Sequence, residues 1–138
     1  MRAAVLLGVT PVLLAATGPA SIDVTVTGIR STKGAVSVCV MPGKSGFPVC
    51  DKAGTGVKQR VPASGSSMRV RFSGLASGDY AITAFHDEDG DGKLKTNFIG
   101  IPREGVAVSG RAGGIPSFAK ARISVAPGSA VTIAMRYL

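Results

Sequence analysis

The chain has 138 residues, of which 16 are lysine or arginine and 8 are aspartate or glutamate, giving a formal net charge of +8. It contains one histidine and two cysteines, so a zinc site built on several imidazoles is excluded. No two basic residues are adjacent, which favours a scattered, solubilising positive charge. The alternative is a basic surface that, on an exported protein, would meet anionic glycans, lipid headgroups or the cell wall rather than nucleic acid.

The first 20 residues have the pattern of a secretory signal peptide. Arg2 precedes an apolar run, and Gly18 and Ala20 supply the small residues expected before a cut after Ala20. A membrane anchor is the alternative, but the run is short for a span and Pro11 interrupts it. We therefore expect residues 21–138 to form one exported domain, periplasmic or extracellular, with no transmembrane segment after cleavage.

Apolar residues alternate with polar ones in short runs separated by glycine and proline, a pattern typical of β-strands. The runs lie at 22–26, 36–40, 68–72, 80–84, 121–125 and 131–137, with weaker candidates at 56–61 and 105–109. This spacing predicts an all-β fold, an antiparallel two-sheet sandwich in which each strand buries one face. The Tyr80 hydroxyl is expected to bond a nearby backbone group, as in a tyrosine corner.

Cys39 and Cys50 are the two cysteines, and the segment between them contains the proline and glycine residues of a loop. In an oxidising compartment we expect them to form a structural disulfide. A redox role is disfavoured because the chain has no C-x-x-C motif.

The side chains most able to bind a metal or a ligand are concentrated in a long acidic and glycine-rich loop at 86–118. Asp87, Asp89 and Asp91 are followed by Gly92, the D-x-D-x-D-G opening of a calcium loop, in which alternate carboxylates converge on the ion. The backbone carbonyl of Lys93 would be the next ligand. The alternative is a solvated acidic turn without a metal, because Asp and Gly tolerate left-handed backbone.

The later positions depart from an EF-hand. Lys95 and Phe98 stand at positions nine and twelve, so the usual bidentate glutamate is missing. Glu104 closes the site if the chain folds back. In addition, His86, Asn97, Arg103 and Arg111 are candidates for a rim that binds an anionic sugar or peptide. For His86 the first expectation is that it packs or hydrogen-bonds at the base of the loop and orients Asp87.

An enzyme is not expected, since no G-x-S-x-G elbow accompanies the single histidine. A small hydrolase acting on envelope glycan through Asp87 and Glu104 is the catalytic alternative.

The stretch HDEDGDGKLKTNFIGIPREG at 86–105 resembles an exported bacterial family known as domain of unknown function 2141 (DUF2141). Pro116-Ser117-Phe118, the phrase Gly74-Leu75-x-x-Gly78-x-Tyr80 and the final Tyr137 fit the same pattern. The resemblance implies a secreted or periplasmic sandwich, prealbumin-like or immunoglobulin-like, and no established activity. Members commonly carry Asp where this chain has Lys95, so a ninth-position ligand is not expected here.

The acidic loop also resembles calcium-binding segments of bacterial surface adhesins, in which a later Glu follows, and this favours Glu104 as a ligand. The expected function is a non-catalytic envelope module whose calcium loop orders one rim for an anionic envelope glycan or another envelope protein. A purely structural domain without a metal is the remaining alternative.

Overall fold

The computed structural model describes residues 8, 19–92, 104–111 and 115–137. Every predicted run overlaps a strand, including the two weaker candidates. The run at 121–125 begins one residue early, because Ala121 lies in the described helix, a single turn, and the last strand ends at Ala134 rather than at Tyr137. Within the described residues no helix has the length and apolarity needed to cross a membrane. The elements are β1 (Ala20–Thr27), β2 (Ala35–Met41), β3 (Val57–Pro62), β4 (Met68–Leu75), β5 (Gly78–Asp87), β6 (Gly105–Val108), α1 (Phe118–Ala121), β7 (Arg122–Val125) and β8 (Ser129–Ala134).

The strands form two sheets, as the predicted all-β sandwich requires. One sheet has the order β4-β1-β8. The other runs β3-β2-β5, and both β6 and β7 pair with β5 along different parts of its length. One pair differs from the antiparallel expectation, because β8 runs parallel to β1. A parallel neighbour needs a long connection between the two strands, and here the rest of the domain lies between them.

The main core fills the space between the sheets. In β1 the buried residues alternate strictly with half-buried ones, because successive side chains of a strand point to opposite faces. Side chains from both sheets meet in one apolar cluster, and fully burying a valine or phenylalanine stabilises the fold by about 2 kcal/mol. Its largest members include Ile22, Val24, Val38, Val40, Phe72 and Ile82.

Strand β2 is buried on both faces, and the expectation of one polar face per strand is wrong here. Val36, Val38 and Val40 face the main core. Cys39 and Met41 belong instead to a second apolar cluster, which includes Ala121 of α1. β2 lies inside its sheet, and the chain that follows it folds back over the outer face.

The predicted disulfide holds this covering segment. Cys39 and Cys50 are bonded, with their Cα atoms 6.0 Å apart, and both side chains are buried. The Thr83 hydroxyl donates to the Pro48 carbonyl at 2.7 Å, which fixes the same segment to β5. The disulfide is therefore part of the packing of the outer face.

The tyrosine prediction is confirmed. The Tyr80 hydroxyl donates to the carbonyl of Ala76 at 2.7 Å, just before β5, while its ring packs against the main core. This bond anchors the first half of β5, whose far end carries the acidic loop.

Candidate metal centre

The acidic residues meet because β5 and β6 are antiparallel neighbours. His86 of β5 is paired with Gly105 of β6. Asp87 follows His86, and Glu104 precedes Gly105, so the two carboxylates reach the same edge of the sheet from opposite directions. The fold-back that Glu104 needs is thus supplied by strand pairing.

Four carboxylates converge at this edge. Asp87, Asp89, Asp91 and Glu104 each offer one oxygen, and these four oxygens all lie within 4.8 Å of one another. Asp87 and Glu104 are buried, whereas Asp89 and Asp91 are exposed. Calcium binds oxygen at about 2.4 Å, so two of its ligands lie at most about 5 Å apart. The donor type and the spacing therefore fit a hard divalent cation.

Backbone N–H groups hold the loop in a curl around Asp87. Gly90 N–H donates to Asp87 Oδ1 at 3.1 Å, and Gly92 N–H donates to Asp87 Oδ2 at 2.7 Å. Gly92 has a φ of +78°, a left-handed conformation that glycine adopts without steric cost. Gly92, the glycine that the motif places at a sharp turn, therefore has the backbone conformation that such a turn requires.

Arg60 is a residue of the candidate site that the sequence analysis did not identify. Its Nη1 lies 2.7 Å from Asp87 Oδ2, and the Asp87 side chain has no exposed area. Arg60 belongs to β3, and β2 separates that strand from β5. No local motif marks the contact, because it depends on the order of strands in the sheet.

Glu88 lies inside the acidic motif but is bonded outside the carboxylate cluster. Its Oε1 accepts from Arg30 Nε at 2.9 Å and also from Arg30 Nη2, and its Oε2 accepts from the Ser31 hydroxyl at 2.9 Å. The Arg30 guanidinium holds the pKa of the Glu88 carboxyl below its ordinary value, and the same hydrogen bond raises the pKa of Arg30. Glu88 thus clamps the β1–β2 loop to the acidic loop.

His86 is buried beneath the loop. Its Nε2 is 2.7 Å from the carbonyl of Lys33, and its Nδ1 is 2.8 Å from the Tyr137 hydroxyl. Because a carbonyl only accepts, Nε2 carries a proton, and in the tautomer with that single ring proton Nδ1 accepts from Tyr137. Burial raises the pKa of the Tyr137 phenol, which keeps it a donor. With no exposed area, His86 does not line the open rim for which it was a candidate, and it bonds Tyr137 and Lys33 rather than Asp87.

Of the other residues predicted for the metal site and the rim, the structure describes Arg111 alone. Lys93, Asn97 and Arg103 lie outside the described residues. Arg111 is exposed, and its backbone N–H donates to the Lys120 carbonyl at 2.9 Å. This contact places its backbone beyond the end of β6 that is opposite to Glu104.

Comparison with known proteins bears on the family alone. Searches of curated proteins and of solved structures found no match. A model of a family described as uncharacterized proteins conserved in bacteria matches residues 24–133, from within β1 to within β8. Since the match covers most of the chain, this protein belongs to the DUF2141 family, as the motif around the acidic loop predicted.

Proposed function

We propose that this protein is an exported, non-catalytic envelope module whose acidic loop binds calcium and thereby orders one rim of the sandwich for a ligand or partner. The observation that carries the proposal is the convergence of Asp87, Asp89, Asp91 and Glu104, whose oxygens lie within 4.8 Å of one another. Carboxylates at this spacing repel one another unless a cation offsets their charge.

These four side chains would hold the ion, and calcium would supply positive charge and a shared point of coordination. Asp89 and Asp91 are exposed, so an ion can reach the cluster from solvent. Asp87 and Glu104 are buried at the ends of β5 and β6, so binding would tie the loop to two strands of the sheet.

Export is supported by the leader pattern of residues 1–20 and by the buried disulfide, which forms in oxidising compartments. The excess of basic residues favours an anionic envelope glycan or another envelope protein as the partner. Nucleic acid is not proposed, because no basic run is present in the sequence.

A glycan hydrolase is disfavoured by the environment of Asp87. Its carboxylate is fully buried, accepts from the backbone N–H groups of Gly90 and Gly92, and forms an ion pair with Arg60. A catalytic carboxylate must reach the scissile bond of its substrate, whereas the Asp87 carboxylate is buried at the end of β5.

Thermal unfolding of the mature, oxidised protein in chelator, in calcium and in magnesium tests the proposal. Calcium at a hundred times its dissociation constant stabilises the folded state by about 2.7 kcal/mol, which raises the midpoint of such a domain by about 10 °C. Asp89→Asn should remove most of this rise without lowering the midpoint in chelator, because Asp89 is exposed and its charge adds to the repulsion among the carboxylates. Asp79→Asn is the matched control, since Asp79 is an exposed aspartate at the other end of β5.

An equal midpoint in chelator and in calcium would refute the calcium function and leave the purely structural domain. A rise retained in Asp89→Asn would place the ion elsewhere in the protein.

A further inference from the structure

We infer that Arg60 is the built-in counter-ion of the acidic cluster: it holds Asp87 in the metal-free protein and limits the affinity of the loop for calcium. The inference rests on the calcium function proposed above and adds the residue that regulates it. Its geometric basis is the 2.7 Å contact between Arg60 Nη1 and Asp87 Oδ2.

The sheet order makes this contact available. Arg60 of β3 is paired with Ser37 of β2, and Ser37 is paired with Phe85 of β5. Asp87 lies two residues beyond Phe85 and therefore points to the same face of the sheet. The Arg60 side chain crosses β2 to reach it, which a long side chain in diagonal register can do.

The bonds to Asp87 leave room for both cations. A carboxylate oxygen has about two acceptor positions. Oδ2 accepts from Gly92 N–H and forms the ion pair with Arg60. Oδ1 accepts from Gly90 N–H in the described structure, which leaves one direction at that oxygen for a metal ion. Arg60 can therefore stay in place when an ion binds.

Two consequences follow for the loop. Burying a carboxylate is costly unless a partner offsets its charge. Arg60 provides such a partner when no metal is present, so the loop is formed before an ion arrives. Once an ion binds to Asp87, the ion and the Arg60 guanidinium lie next to the same carboxylate, and their positive charges repel each other. A site with fewer net negative charges binds calcium more weakly. This agrees with the calcium dissociation constants of extracellular modules, which are roughly 0.1–1 mM.

Arg60→Met removes the charge and keeps much of the side-chain length. The matched control is Arg69→Met, which makes the same change in net charge at an exposed arginine of β4, in the other sheet. Thermal unfolding in chelator and calorimetric titration with calcium chloride would be measured for both variants and for the parent. For Arg60→Met we expect a midpoint in chelator lower by about 5 °C or more and a calcium dissociation constant about tenfold smaller. Arg69→Met should match the parent in both.

The outcomes separate the two proposals. Equal calcium affinity in the parent and Arg60→Met would overturn the role of Arg60 while the calcium function stands. Calcium binding by neither protein would overturn both. Weaker calcium binding in Arg60→Met would make Arg60 a support of the loaded loop, and the inference would be wrong.

If Arg60→Met does not fold in chelator but folds when calcium is added, the ion has replaced the missing counter-ion, as expected. If it folds in neither condition, Arg60→Gln provides the test, because glutamine keeps a hydrogen-bond donor without the charge. Its calcium dissociation constant must then be smaller than that of the parent, and an equal or larger value would overturn the inference.

Discussion

The Tyr137 hydroxyl lies 2.8 Å from Nδ1 of His86, the residue that immediately precedes Asp87. The same hydroxyl accepts from the Arg30 backbone N–H at 3.1 Å, and the Arg30 guanidinium lies 4.3 Å from the centre of the Tyr137 ring. A continuous set of contacts therefore joins the end of the chain, the β1–β2 loop and the base of the acidic loop.

Tyr137→Phe should lower the free energy of unfolding by about 1–3 kcal/mol. The substitution keeps the ring over which Arg30 lies but leaves Nδ1 of the buried His86 without its donor. Urea denaturation of the parent and the variant in chelator measures the difference. Equal free energies would show that the hydroxyl contributes nothing to the fold.

Two buried serines should respond oppositely to alanine. The Ser37 hydroxyl is buried and has no hydrogen-bond partner among the described residues, so Ser37→Ala should leave stability unchanged or raise it by up to about 1 kcal/mol. The Ser109 hydroxyl accepts from Ile82 N–H at 2.8 Å and donates to the Ala121 carbonyl at 2.6 Å. Ser109→Ala should therefore cost about 1–3 kcal/mol. Chemical denaturation checks both, and a larger loss in Ser37→Ala than in Ser109→Ala would contradict the assignment.

Glu88 should make stability fall in acid. Its pKa is lowered in the folded protein, chiefly by the Arg30 hydrogen bond, so the folded state favours the ionised form more than the unfolded chain does. The stabilisation is complete above the unfolded pKa of about 4.3 and is lost as the pH falls through the lower folded value. The excess stability of the parent over Glu88→Gln, measured in chelator from pH 7 to pH 3, should shrink below about pH 4.3. A constant difference over that range would refute this role.

Gly34 should be replaceable only at a high cost. It has a φ of +66°, and a Cβ at this position would run into the carbonyl of Asp87. Gly74 is the matched control, since it has a φ of +70° and nothing within 4 Å of the same added atom. Both alanine variants carry the conformational cost of a positive φ, about 1 kcal/mol. Gly34→Ala should lose more stability than Gly74→Ala in thermal unfolding, and equal losses would mean that the close approach to Asp87 has no energetic weight.

Local sequence patterns predicted much of this architecture. The alternation of apolar residues located the strands, because neighbouring side chains on a strand face opposite sides and the pattern needs no knowledge of partners. The phrase before β5 predicted the bond from Tyr80, and two cysteines allowed a single internal pairing, Cys39 with Cys50. The D-x-D-x-D-G spacing identified three of the four clustered carboxylates, since such a loop gathers its own side chains.

The tertiary structure decided which strands are neighbours, and the rest of the site follows from that. The parallel pairing of β1 with β8 and the burial of both faces of β2 arise from contacts between segments far apart in the chain. Glu104 was proposed from sequence, but only the pairing of β5 with β6 explains how it reaches Asp87. Arg60 reaches the acidic loop because of the order of the strands in its sheet. Tyr137 reaches the base of the loop because the residues that follow β8 bring it into contact with His86. No local pattern records such contacts, because their energy depends on where distant segments meet.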